Sequence, residues 1–143
     1  MSPGQLDPAV VRRHLLALDE ALQRLRHHGG RPLSALEGDL DERWTVERGL
    51  QLCAQNALDI ATHLAASAGR DAPDYASAID VLGDLGVLPA EFARRFRAIA
   101  GFRNVLVHGY LGVDLAQLHR LLNAGLDDFV AFARFAEGHL RTA

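Results

Sequence analysis

The sequence predicts an all-α protein, built as an up-and-down bundle of four long helices plus one short helix. Three observations lead there. Apolar residues recur at steps of three and four through most of the chain, capping residues punctuate that pattern, and no stretch alternates apolar with polar as a strand would. The connections between periodic segments are short, so neighbouring helices are expected to run antiparallel.

Asp7 followed by Pro8 reads as an N-cap with proline at the first helical position, and Val10, Val11, Leu15, Leu18, Leu22 and Leu25 keep a helical period up to Gly29-Gly30. Ser34 with Glu37 forms a capping-box pattern for a short helical piece, and Asp39 with Glu42 repeats it just before Trp44. Val46, Leu50, Cys53, Ala57, Ile60, Ala61 and Leu64 mark the face of the longest helix, which should end at Gly69. Pro73-Asp74 opens the short helix through Tyr75, Ile79 and Leu82, closed by Gly83 or Gly86. Pro89 opens the next, with Phe92, Phe96 and Ile99 on one face. Asp114 caps the last, in which Leu115, Leu118, Leu122, Leu126, Phe129 and Phe132 recur to about Leu140.

A chain of 143 residues has the size of one ordinary domain and can bury a core without disulfide or metal staples, so a single domain over residues 1–143 is expected. The composition, 49% hydrophobic and 23% charged, excludes a disordered chain. Cys53, the one cysteine, falls on an apolar helical face, which points to a core residue and a reducing cytoplasm. The N-terminus has no basic region followed by an apolar run, and no segment reaches about 18 uninterrupted apolar residues, so a soluble cytoplasmic protein without membrane association is expected. The net charge of -3 argues against general affinity for nucleic acid. All 15 basic residues are arginine, a bias that codon preference alone would explain. Between Glu91 and Arg103, however, Arg94, Arg95, Arg97 and Arg103 stand against a single carboxylate, so an anion should go there. They serve either as a guide for such an anion or as an ordinary solvated face.

The stretch GFRNVLVHGYLGVD, residues 101–114, sets Arg103, His108 and Tyr110 among apolar neighbours, where an unpaired polar group is costly to bury. In an unbroken helix Arg103 and His108 would lie about 140° apart around the axis. Gly109 tolerates a left-handed conformation, so the helix is expected to end there and free His108. Gly112 and Asp114 then leave a tight connection that would hold Arg103, His108 and Tyr110 around one concave corner. Histidine can take and return a proton near neutrality, and arginine offers a permanent charge in a planar fork suited to phosphate oxygens. Such a pair suffices for metal-free cleavage of RNA: the ribose 2′-hydroxyl is deprotonated and attacks the adjacent phosphate, while the guanidinium stabilises the added negative charge.

Arg103-Asn104-Val105-Leu106-Val107-His108-Gly109-Tyr110 matches the R-x4-H-x-Y motif of the HEPN superfamily and resembles in particular the HepT-type toxins of prokaryotic toxin-antitoxin pairs. The segments VERGLQLCAQNALDIATHL and GVLPAEFARRFRAIAGFRNVLVHGYLGVD are similar to the long second helix and to the fourth helix and turn of that family. The resemblance implies a homodimeric ribonuclease that needs no cofactor or metal, with its cleft at the dimer interface. Arg103 and His108 would be catalytic, and Asn104 and Tyr110 would be secondary members of the site. It also implies a minimal nucleotidyltransferase antitoxin that silences the toxin by transferring AMP onto Tyr110. The competing expectation is a non-catalytic helical adaptor serving a nucleotidyltransferase.

Several neighbours remain open at this level. Asp59 and His63, four apart on the long helix, could form a surface pair, support the cleft or pair with Arg103; as metal ligands they lack a third partner. His27-His28 reads as a solvated helix end. Ala98, Ala100 and Gly101 would admit a second helix closely, either from another copy or from within the bundle.

Overall fold

Helix α1, Pro8–Arg26, starts where the sequence puts it: the Asp7 carboxylate accepts the Ala9 N–H at 3.0 Å, and Pro8 has no N–H to satisfy. The structure is a computed structural model and describes residues 5–109 and 112–143. Helix α2, Leu33–Gly38, begins two residues earlier than the capping box suggests, because the Pro32 carbonyl already accepts the Ala35 N–H and Ser34 lies inside the helix. Helix α3, Leu40–Ser67, is capped by Asp39, which accepts from the N–H groups of Asp41 and Glu42. It stops at Gly69, with φ of +75°, where the Arg70 N–H folds back onto the Ala65 carbonyl.

Antiparallel packing of α1 on α3 is visible in three pairs: the Asp7 N–H donates to His63, His14 bonds Asn56, and Leu25 presses on Gly49. A Cβ at Gly49 would come within 2.5 Å of Leu25 Cδ2, so glycine is what lets the two axes approach here.

Helix α4, Tyr75–Asp84, is capped by Asp74, which accepts the Ser77 N–H at 2.8 Å; of the two expected stops, Gly86 is the one with a left-handed φ. The next helix is not continuous as expected. It divides at Arg97 into α5, Ala90–Phe96, and α6, Ala98–His108. Two anchors meet at that joint. The Arg97 guanidinium grips Asp80 of α4 through two hydrogen bonds of 3.0 and 3.2 Å, while the Phe96 ring stacks on Phe132 at 5.0 Å and meets Phe129 edge-on.

The last rod also differs from a regular helix. Asp114 caps α7, Leu115–Arg120; a wider π-helical turn, Leu121–Gly125, follows, and α8, Leu126–Thr142, completes it. At that turn Asn123 accepts the Gly30 N–H at 2.7 Å and His119 bonds the Arg31 carbonyl at 2.9 Å, tying the rod to the loop after α1. The buried faces of these helices, Leu18, Leu50, Ile60, Ile79, Phe96, Phe129 and Phe132 among them, form one contiguous core. Cys53 belongs to it, and burial pushes its thiol up to about 12, as befits an inert packing residue. Among the described residues no helix is long and apolar enough to cross a membrane.

Candidate functional site

The corner between α6 and α7 departs from expectation. Helix α6 keeps its winding through His108, and Gly109 has φ of -86°, outside the left-handed region. Glycine is needed there for space, since a Cβ would collide with the Val105 carbonyl oxygen and approach the Gly112 oxygen at 3.3 Å. The turn is closed by the Gly112 N–H donating to the Gly109 carbonyl, and the left-handed residue is Gly112, at φ +140°. Tyr110 lies outside the described residues, as does Leu111. Because α6 does not unwind, Arg103 and His108 keep their separation of about 140° around the axis. The expected single concave corner is therefore not formed by these two within one chain: no hydrogen bond joins them among the described residues.

Arg103 is held firmly on the inner side of α6. Its Nε donates to Gln55 Oε1 at 2.8 Å, its Nη1 donates to Asn104 Oδ1 at 3.0 Å, and its Cζ sits 5.3 Å from the centroid of the Tyr75 ring. Gln55 is itself fixed, its Nε2 donating to Asp59 Oδ1 at 2.8 Å and to the Tyr75 hydroxyl at 3.2 Å. Asp59 thus reaches Arg103 only through the neutral Gln55 amide. The guanidinium keeps its full charge beside an amide rather than a carboxylate, and three of the five N–H groups of the fork stay available.

Gln55 and Tyr75 escaped the sequence reading. Gln55 stands four before Asp59 on the same helix, a spacing that signals contact between those two but does not reach Arg103. His63 does not pair with Asp59; its Nε2 accepts the Asp7 N–H at 3.1 Å and holds the start of α1 against α3. Among the described residues no group of three or more His, Cys, Asp or Glu side chains is arranged to hold a metal ion.

His108 is exposed on the last turn of α6, and Gly101, Asn104, Val105 and His108 follow at steps of three, one and three along one exposed strip of the helix. Val105 is 43% exposed, and a Cβ at Gly101 would meet nothing within 4 Å. Ala100, by contrast, is buried in the bundle, so the small residues of this segment divide between inner packing and an open outer face.

The expected cationic approach through Arg94, Arg95 and Arg97 is mostly neutralised. Arg95 makes a two-pronged contact with Asp128 at 3.1 Å, which holds its guanidinium pKa above the ordinary value, and Arg97 is bound to Asp80. Nor is His28 a solvated helix end: Glu42, 9% exposed, accepts from His28 at 2.9 Å and from Arg31 at 2.8 Å.

The chain matches the family model of the ribonuclease HepT-like family over residues 18–136. It is 25% identical over 139 residues to the tRNA nuclease HepT of Aphanizomenon flos-aquae (strain 2012/KM1/D3), covering 96% of this chain and 94% of that one. Among solved structures it resembles the tri-AMPylated HEPN toxin of Shewanella oneidensis in complex with its MNT antitoxin, with a TM-score of 0.82 at 18% identity over 93% of this chain and 99% of the other. A cytosolic protein of unknown function from Bacillus subtilis, YutE, superposes with a TM-score of 0.81 at 20% identity over 96% and 92% of the two chains. With the helical order, the motif on α6 and a match spanning most of its length, the chain belongs to the ribonuclease HepT-like family.

Proposed function

We infer that this chain is a metal-independent endoribonuclease toxin, one domain over residues 1–143, paired with a minimal nucleotidyltransferase antitoxin in the cytoplasm. The observation that carries the reading is the setting of Arg103: a guanidinium oriented by Gln55, Asn104 and Tyr75 with donors to spare, on the same helix that exposes the imidazole of His108 five residues further on. In the reaction, one His108 imidazole takes the 2′-hydroxyl proton. The resulting alkoxide attacks phosphorus, the bond to the 5′-oxygen breaks, and a second His108 returns a proton to that leaving oxygen. Arg103 stabilises the extra negative charge at phosphorus, and Asn104 orients it or the phosphate. The products are a 2′,3′-cyclic phosphate and a 5′-hydroxyl.

Because Arg103 and His108 diverge around α6 in one chain, the active groove is read as shared by two chains, each giving an Arg103 and a His108. The exposed strip of Gly101, Asn104, Val105 and His108 supports a homodimer closing on that face. AMP transferred onto Tyr110 would put bulk and negative charge where RNA phosphate must sit. The solved complex of the AMPylated Shewanella toxin with its antitoxin supports this part of the reading.

The test is cleavage of cellular RNA in EDTA by the wild-type chain, Arg103→Ala and His108→Ala, with mass spectrometry of Tyr110 after co-expression with the nucleotidyltransferase. Cleavage by the wild type alone, lost on addition of AMP to Tyr110, is the expected outcome. Equal cleavage by wild type and His108→Ala removes His108 from the chemistry.

A further inference from the structure

Once ion pairs are accounted for, positive charge gathers in a different part of the surface from the one the sequence suggests. Arg95, Arg97, Arg31 and Arg70 are each bound to a carboxylate, but among the described residues no ion pair or hydrogen bond engages Arg24 or Arg48. These two line an open groove of about 820 Å³ between α1 and α3, together with His27, Leu52 and Asn56 and against one acidic residue, Glu20. Gly49, against which Leu25 of α1 packs, is part of its lining.

The groove adjoins the Arg103 site through α3. Arg48, Leu52, Gln55 and Asp59 succeed one another at steps of four, three and four, so they form one stripe of that helix, and Gln55 is the residue that holds Arg103. Arg48 stands two turns, about 10 Å along the axis, from Gln55. A strand with its reacting phosphate on Arg103 can therefore continue along this stripe and lay further phosphates on Arg48 and Arg24.

We propose that the α1/α3 groove is a binding track for the phosphodiester backbone of single-stranded RNA beside the cleaved bond, with Arg24 and Arg48 as its phosphate contacts. This rests on the RNA-cleaving reading above for its purpose, although the binding itself can be measured without cleavage. In a chain of net charge -3, Arg24 and Arg48 lining one groove against Glu20 alone give a local excess of positive charge that an anionic polymer can exploit. The track acts on substrate affinity and leaves the chemical step alone.

The experiment measures binding of a fluorescent oligoribonucleotide of about 12 residues carrying 2′-O-methyl groups, which cannot form the attacking alkoxide, across a range of salt. The proteins are the wild type, Arg24→Glu/Arg48→Glu, Arg24→Lys/Arg48→Lys, and Arg134→Glu as a change of equal charge on α8. Cleavage of unmodified RNA is measured in parallel. Charge reversal in the groove should weaken binding at least tenfold and make the salt dependence shallower by about 1.4 log units per log unit of salt, two contacts at about 0.7 each. It should raise KM with kcat within twofold, while the lysine pair and Arg134→Glu stay close to wild type. If charge reversal prevents folding, Arg24→Gln/Arg48→Gln replaces it with the same expectation. Unchanged affinity and salt slope overturn the proposal, as does intact RNA binding with lost neutralisation by the antitoxin, which would assign the groove to a protein. A wild type that binds through Arg24 and Arg48 but cuts no RNA would instead overturn the ribonuclease reading and leave the groove standing.

Discussion

Arg103 is useful to phosphate chemistry only if its fork is aimed before the substrate arrives, and the aim comes from Gln55. Truncating that side chain removes the acceptor at 2.8 Å from Arg103 Nε and leaves the guanidinium resting on Tyr75 and Asn104 alone. Gln55→Ala should slow single-turnover cleavage of RNA by roughly 10- to 100-fold, the scale of a small misplacement in an active site, with substrate affinity little changed. An unchanged rate would mean that Arg103 needs no such support. The sequence made Arg103 and His108 legible because both lie in one short segment whose residue types suit proton transfer and phosphate binding. It hid Gln55 and Tyr75 because their link to Arg103 exists only after folding, across 48 positions in the case of Gln55.

At the scale of elements, the caps are where sequence and structure agree most closely, and one of them carries a pH signature. The Ser77 backbone N–H, then its hydroxyl, then the charge of Arg97 hold the Asp74 carboxyl below its ordinary value of 3.8. A carboxyl depressed in the folded state lends stability above its unfolded pKa and loses it as pH falls through the folded one. Asp74→Ala should therefore lower the Tm by a few degrees from pH 5 to 8, and the gap to wild type should narrow below about pH 4. Asp74→Asn should keep the cap across the whole range; thermal melts read both. The elements that the sequence misplaced are those fixed by tertiary contacts. Apolar period alone cannot register the break at Arg97, which depends on Asp80 from another helix, or the wide turn at Leu121–Gly125, which Asn123 docks onto Gly30.

At the scale of the whole molecule, folding redistributes charge as well as apolar surface. The arginine run before Arg103 looks like an anion site in one dimension, yet in three it is largely spent on Asp80 and Asp128, while Arg24 and Arg48 remain open elsewhere. The same geometry bears on assembly. A regular α6 keeps Arg103 and His108 of one chain from meeting, so the account requires the Arg103 of one protomer to work with the His108 of its partner. Complementation measures this directly. Arg103→Ala and His108→Ala are each purified, shown to be inactive, then mixed, allowed to exchange subunits and assayed for RNA cleavage in EDTA. The account predicts that the mixture regains measurable activity, short of the wild type's, because each mixed dimer restores one Arg103 facing one His108 base while the second His108, the proton donor to the leaving oxygen, is still missing. A mixture that exchanges subunits and stays as inactive as its components would contradict it.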